Sequence, residues 1–249
     1  MITNIVIKLA FPDKTDFSTN RSSLMHGVIS EIVSNKYAEK MHLDSLHPYS
    51  QFLFRENDRF YWRINALDDE ARINIIDVLS GLDEIYIRHN DCTICLEEKT
   101  ISQISADNLF IKYGLNQPER KTEMLFISPT AFKSHGNYIN IPSPQLILQS
   151  IVQKYDMFSG NALFSEELMH EVSDRVIISS YNLKSCFFPL EGIKIPAFTG
   201  KLTLYVKGGG ALPGIVRMLG EYAKYSGVGI KTALGMGAVT IKTKGEVNE

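Results

Sequence analysis

Four glycines interrupt one eleven-residue run near the C-terminus, Gly227-Val228-Gly229-Ile230-Lys231-Thr232-Ala233-Leu234-Gly235-Met236-Gly237. Glycine lets a backbone approach a ligand closely and can turn its N–H groups toward an anion. Lys231 and Thr232 add a charge and a hydroxyl, so the run suits a phosphate-bearing partner; it equally suits a tight turn between a helix and a strand. A second cluster, Gly208-Gly209-Gly210-Ala211-Leu212-Pro213-Gly214, is followed by neither Gly-Lys-Ser/Thr nor an acidic residue at the end of a next strand. The phosphate-loop reading therefore fails, the dinucleotide reading lacks its acidic residue, and a flexible loop with Pro213 in a helix's first turn is expected ahead of a nucleotide site. Cys92 and Cys95 have metal-like spacing, but residues three apart on a strand face opposite sides and only Cys186 remains, so core cysteines are expected. The histidines are His26, His42, His47, His89, His135 and His170, with no HExxH pattern. His42 and His47 flank the turn after the first predicted helix, where an imidazole can meet substrate and titrates near neutral pH. Either could instead be an ordinary loop or helix-cap histidine.

Regular elements must position these groups. Residues 4–10 read as an apolar strand. Leu24, Val28, Ile29, Ile32, Val33 and Ala38 recur at helical spacing and predict one amphipathic helix over 20–41. Two strands, 50–55 and 59–66, join at Glu56-Asn57-Asp58, a hairpin composition. Phe60, Trp62 and Ile64 alternate with Tyr61, Arg63 and Asn65, which predicts one buried and one polar face. Asp68 starts a helix whose apolar face is Ala71, Ile75, Val78 and Leu79, and Gly81 ends it. Residues 85–95 hold a last strand or two. The order is β-α-β-β-α-β, the ferredoxin-like unit, whose open sheet face is a common platform for RNA or a second domain.

Gly114, Asn116 and Pro118 mark a boundary within 112–123, which gives domains 1–115 and 116–249. The second half reads as a strand at 124–128, helices at 143–155 and 165–172, strands at 176–188 and 201–207, a helix at 213–226 and a strand at 238–242. Leu212, Ile215, Val216, Leu219, Tyr222 and Ala223 form the stripe of the last helix, with Arg217 and Lys224 off it. The fold class predicted is α+β, two tandem ferredoxin-like domains, the C-terminal one decorated and carrying the Gly-rich loop.

Composition narrows the class. The 249 residues include 26 Lys+Arg and 28 Asp+Glu, a net charge of -2, and 44% are hydrophobic. A large core is available and global disorder is excluded. The charge is uneven: residues 184–249 hold nine Lys/Arg against four Asp/Glu, a net +5, so the remainder carries -7. No apolar run approaches the ~20 residues that span a bilayer. The N-terminus reads as a strand rather than a signal peptide, and three cysteines are too few for a disulfide framework. A cytoplasmic protein without membrane contact is expected.

Two segments resemble one family. Tyr37-Ala38-Glu39-Lys40-Met41-His42-Leu43-Asp44-Ser45-Leu46-His47-Pro48-Tyr49-Ser50-Gln51 resembles the region after the first helix in the CRISPR repeat-processing endoribonucleases of the repeat-associated mysterious protein (RAMP) superfamily. There a histidine often precedes Pro, an aromatic and Ser, as His42 precedes Pro48-Tyr49-Ser50 here. Residues 198–237 resemble the family's C-terminal signature: a strand, a helix, then glycine–apolar–glycine, Lys-Thr, glycine–apolar–glycine. The resemblance implies tandem ferredoxin-like domains and cleavage of CRISPR precursor RNA within its repeats, with no metal or other cofactor. In that chemistry the RNA's own 2′-hydroxyl attacks the adjacent phosphorus. The ends left are a 5′-hydroxyl and a 2′,3′-cyclic phosphate or 3′-phosphate.

By the same resemblance His42 is general base or acid, and His47 is a second proton-transfer group or a phosphate contact. Tyr37 orients the 2′-hydroxyl. Gly227, Gly229, Lys231, Thr232, Gly235 and Gly237 form the RNA-backbone site, joined by Lys201, Lys207 and Arg217. The implied partners are precursor and mature guide RNA and other subunits of an interference complex, with a homodimer left open. Two competing readings remain: a non-catalytic RNA-binding subunit of a CRISPR ribonucleoprotein, and a nucleotide-binding enzyme using 208–214.

Overall fold

The computed structural model describes residues 1–12, 18–43, 46–88, 91–115, 119–163 and 165–242. The chain divides into two compact units. The first is Met1–Ile104 together with Lys231–Gly235, and the second is Ser105–Ile230 with Met236–Glu249.

In the first unit β1 (Ile2–Ala10) is followed by helices α1 (Ser22–Ile32) and α2 (Asn35–Leu43). The hairpin β2 (Tyr49–Glu56) and β3 (Arg59–Ala66), a helix over 69–80, β4 (Glu84–Ile87) and β5 (Cys92–Ile104) complete it. The antiparallel sheet runs β2-β3-β1-β5-β4. This is the ferredoxin-like order with β5 as fourth strand and β4 as an added edge. The alternation seen in the sequence sets the core face: Ile5, Ile7, Leu53, Trp62, Ile64 and Ile94 pack with Met25, Ile29, Tyr37, Met41, Ile75 and Leu79.

Three local expectations are corrected. The helix expected over 20–41 is broken at Val33, which is extended at φ -77°, ψ 158°. Ser34 then starts a new helix: its Oγ accepts from Tyr37 N at 3.3 Å. A serine cap competes with continuation through the β-branched Ile32-Val33 pair and prevails. In the helix over 69–80 Asp68 is the expected cap, accepting from Ala71 N at 2.7 Å. A π-turn at Arg72–Ile76 then shifts the register, so Ile76 is buried and Val78 faces out. The last strand runs to Ile104, well beyond Cys95, because Glu97 and Glu98, which hide its apolar pattern, pair across the sheet with Lys8 at 3.2 and 2.7 Å.

In the second unit β6 (Lys121–Thr130) leads into the small hairpin β7 (Phe132–Ser134) and β8 (Asn137–Ile139). Helices Pro144–Phe158 and Glu166–Arg175 follow, capped by Ser143 and Ser165. Then come β9 (Val176–Leu190), β10 (Ile193–Val206), the helix Leu212–Ser226 and β11 (Val239–Lys242). The sheet order β11-β6-β10-β9 repeats the ferredoxin-like pattern. The expected division at 115/116 falls inside this unit. Residues 106–114 form a helix capped by Ser105 that packs on Leu212–Ser226, where Gly214 leaves room for the Gly114 carbonyl. No helix among the described residues is long and apolar enough to cross a membrane.

Candidate active site and nucleic-acid interface

The Ser34 cap turns Tyr37 into the core of the first unit, and the chain leaving α2 returns into β2 at Tyr49. This return brings His47 and Tyr49 beside His26 of α1. His26 Nδ1 lies 2.6 Å from the Tyr49 hydroxyl, with the two rings near-parallel. The His47 ring is 5.8 Å from His26 and 5.9 Å from Tyr49, centroid to centroid. Burial, with a smaller contribution from nearby Tyr37, pushes the Tyr49 phenol far above its ordinary pKa. Its hydroxyl therefore stays protonated at any working pH. A neutral phenol can donate to a bare Nδ1 or accept from Nδ1–H, so Tyr49 serves His26 in either protonation state.

Of the residues expected to do chemistry, His47 and Tyr37 thus lie in one corner. His42 belongs to α2, and its side chain lies outside the described residues. His26 was missed in the sequence. A mid-helix histidine carries no positional signal, and its partner Tyr49 lies 23 residues away. Cys92 is half-buried and packs on the core as expected, whereas Cys95 is exposed.

The glycine loop is built differently from the expectation. Lys231–Gly235 folds with the first unit, where Ala233 joins the core. The buried Gln51 amide donates to Ala233 O at 3.1 Å and to Ser22 O at 2.8 Å, and its Oε1 accepts from Trp62 Nε1 at 3.0 Å. Lys231 is left-handed (φ +55°) and opens the short turn Thr232–Leu234. At Gly235 (φ +101°) an added side chain would run into Ser22.

In the second unit Gly227 N donates to Ala223 O, Gly229 N to Ser150 Oγ and Gly237 N to Pro129 O, at 2.9, 3.0 and 3.0 Å. Gly235 N likewise donates to Thr232 O. The four glycine amides are therefore occupied inside the protein, and what the glycines contribute is close packing. Thr232 is buried, while Lys231 is half-buried.

Two of the three cations expected to join the loop, Lys201 and Arg217, carry carboxylate partners. Lys201 Nζ pairs with Glu123 at 2.6 Å, and Lys242 is 3.8 Å from the same carboxylate. Arg217 pairs with Glu221 at 2.6 Å and stands over the Tyr113 ring, as does Lys112. Lys224 holds the other oxygen of Glu221 at 3.0 Å. Arg217 also reaches Lys242 O. Five cations thus gather around two carboxylates in one corner of the second unit. Lys207 stands apart at the end of β10, its backbone exchanging hydrogen bonds with Arg175.

One ferredoxin-like unit thus bears a histidine–tyrosine cluster and the other a basic corner. The family model described as CRISPR-associated endoribonuclease Cas6 matches residues 124–239. A CRISPR-associated endoribonuclease Cas6 of Streptococcus thermophilus is 30% identical over 221 residues, which cover 88% of this chain and 90% of that protein. A solved Cas6 product complex superposes with a TM-score of 0.82 at 18% identity, over 98% of this chain and 100% of that one. A Cas6 substrate mimic complex gives 0.75 at 19% identity, over 97% and 99%. The chain belongs to the family of CRISPR-associated endoribonucleases Cas6.

Proposed function

We propose that the protein cuts CRISPR precursor RNA within its repeats, without metal, by attack of the 2′-hydroxyl on the adjacent phosphorus. A base takes the 2′-hydroxyl proton, the 2′-oxygen–phosphorus bond forms, the bond to the 5′-oxygen breaks, and an acid protonates that oxygen. The ends are a 5′-hydroxyl and a 2′,3′-cyclic phosphate, which can open to a 3′-phosphate. The observation that carries this reading is the pair of imidazoles, His26 and His47, 5.8 Å apart with Tyr49 hydrogen-bonded to one of them. Two histidines can divide the base and acid roles, each proton transfer contributing roughly 10²–10⁴-fold.

His42 is the third member of the set. Tyr49 orients His26 through their hydrogen bond, and the buried Tyr37 backs the same corner instead of meeting the 2′-hydroxyl. Lys231 and the corner of Lys201, Arg217, Lys224 and Lys242 contact phosphates and oppose the charge of the phosphorane. The Cas6 names of the relatives, and the product and substrate-mimic complexes among the structures it resembles, support this reading. Mature guide RNA and the subunits of an interference complex are the partners it implies, and the cytoplasm the compartment.

The test is incubation of the protein with the repeat RNA of its own genome in EDTA. The expected result is one cut with the ends given above. His26→Ala and His42→Ala should each slow the single-turnover rate by roughly 10²-fold or more, with RNA affinity retained. A divalent-metal requirement would overturn the mechanism. Wild-type rates in His26→Ala, His42→Ala and His47→Ala alike would overturn the histidine assignment, and repeat RNA bound but uncut by the wild type would leave a non-catalytic RNA-binding subunit.

A further inference from the structure

The helix Pro144–Phe158 buries a charged side chain that the proposed chemistry does not use. Lys154 is 3% exposed, and its ammonium sits at the end of the helix Leu212–Ser226. Nζ donates to Ser226 O at 3.0 Å and to Gly227 O and Gly229 O, both at 3.4 Å. One turn earlier on the same helix, Ser150 Oγ accepts from Gly229 N at 3.0 Å. Tyr222 Oη donates to the Lys154 carbonyl at 3.1 Å, tying the two helices together at this level. Two side chains of one helix thus hold the backbone of 226–229 by its carbonyls and by an amide. Gly229 fits there with φ +79° and the Ala131 carbonyl where a side chain would point.

Burial pushes the Lys154 ammonium down to about 7, so the site is costly for a lysine. A methionine would fill the same volume without that cost. What the lysine supplies is donors for the Ser226, Gly227 and Gly229 carbonyls at and beyond a helix end, of which Gly227 O also accepts from Ser226 Oγ at 3.0 Å.

We propose that Lys154 is a positioning residue for the glycine loop: it fixes residues 226–230, which lead into Lys231, without touching RNA itself. This rests on the reading that the loop, through Lys231, contacts the repeat.

The test compares Lys154→Met and Ser150→Ala with wild type. In Lys154→Met, amide exchange at Val228, Gly229 and Ile230 should quicken about tenfold or more. The Kd for repeat RNA should rise about tenfold. The single-turnover rate at saturating RNA should stay within about twofold, since no group acting on the reacting atoms has changed. Ser150→Ala, a smaller cut, should quicken exchange at Gly229 and weaken RNA binding by a lesser factor. Unchanged exchange or unchanged Kd in a folded Lys154→Met overturns the proposal. If that variant does not fold, the same result in Ser150→Ala overturns it. Lys231→Ala separates the two levels: wild-type RNA affinity there refutes the RNA role of the loop, whereas loop exchange in Lys154→Met reads the ordering role alone.

Discussion

Replacing Gly235 with alanine tests how the Lys231–Gly235 segment is seated in the first unit. Gly235 has φ +101°, and an added Cβ would collide with Ser22 Cβ and lie 3.0 Å from its Oγ. Left-handed backbone in a residue with a Cβ costs about 1–2 kcal/mol. Forcing a methyl into a filled contact costs about 1–3 kcal/mol. Gly235→Ala should therefore destabilise the first unit by about 2–5 kcal/mol.

The second penalty can be relieved. Ser22→Gly removes the atoms in the way. It also loses the Ser22 Oγ bonds to Thr19 O (2.7 Å) and from Leu53 N (3.2 Å), a cost of about 1–3 kcal/mol. The double variant should be more stable than the sum of the singles by about 1–3 kcal/mol, the overpacking part alone. Urea unfolding followed by tryptophan fluorescence measures this in the right place. Trp62 is the chain's single tryptophan and is bonded to Gln51, the residue that holds Ala233. Additivity within about 0.5 kcal/mol, or wild-type stability in Gly235→Ala, would refute the reasoning that Ser22 closes this position.

Two further expectations concern buried charges of the second unit. Lys154 has a folded pKa of about 7 against 10.5 for the free side chain, so the folded state binds fewer protons between those values. Stability should therefore rise with pH across that window, while below it the burial penalty is fully present. Relative to Lys154→Met, the wild type should gain up to about 3 kcal/mol between pH 7 and 9, less whatever the three carbonyls return to the ammonium. A pH-independent difference between the two urea midpoints would show that the lysine stays charged in both states. Glu221 is 1% exposed between Arg217 and Lys224. Glu221→Ala leaves Arg217, whose side chain is 12% exposed, without its carboxylate, and should cost about 3–5 kcal/mol by thermal unfolding. A loss below about 1 kcal/mol would show that water reaches the pair.

Much of the fold was legible because strands announce themselves by period-two burial. Ile5, Ile7 and Leu9, and Trp62 and Ile64, gave the first sheet its core face and so the ferredoxin-like order. What failed was local competition. Ser34 stops a helix whose apolar spacing continues through Ala38, and the π-turn at Arg72–Ile76 moves Val78 off the face that a regular helix would bury. The candidate site divides the same way. His47 could be chosen because it flanks the turn after a helix, and Tyr37 through the family resemblance. His26 could not, since only the closing of β2 against α1 brings Tyr49 to it. Lys154 is one residue within the expected helix 143–155, and only the end of a distant helix makes it a donor to the loop. The glycine run was visible. The occupation of its amides was not, because the acceptors come from Ala223, Ser150 and Pro129.

The uneven charge also takes a different meaning in three dimensions. The +5 of residues 184–249 suggests an open basic surface, yet Lys201 and Lys242 share Glu123, which lies outside that segment, and Arg217 and Lys224 share Glu221. Four of the nine tail cations are therefore held by internal carboxylates. Such pairing fixes long side chains that would otherwise lose rotamer freedom on meeting a ligand, and each carboxylate serves two cations, so a net positive charge remains at each pair. Among the described residues Lys184, Lys194, Lys207 and Lys231 have no ion pair. The tail thus holds two kinds of positive charge: cations paired with carboxylates in one corner, which contact phosphates in the proposed function, and unpaired ones that add attraction without geometry. Selective binding of one RNA site requires the first kind. The second alone would attract any polyanion, and its contribution fades with salt.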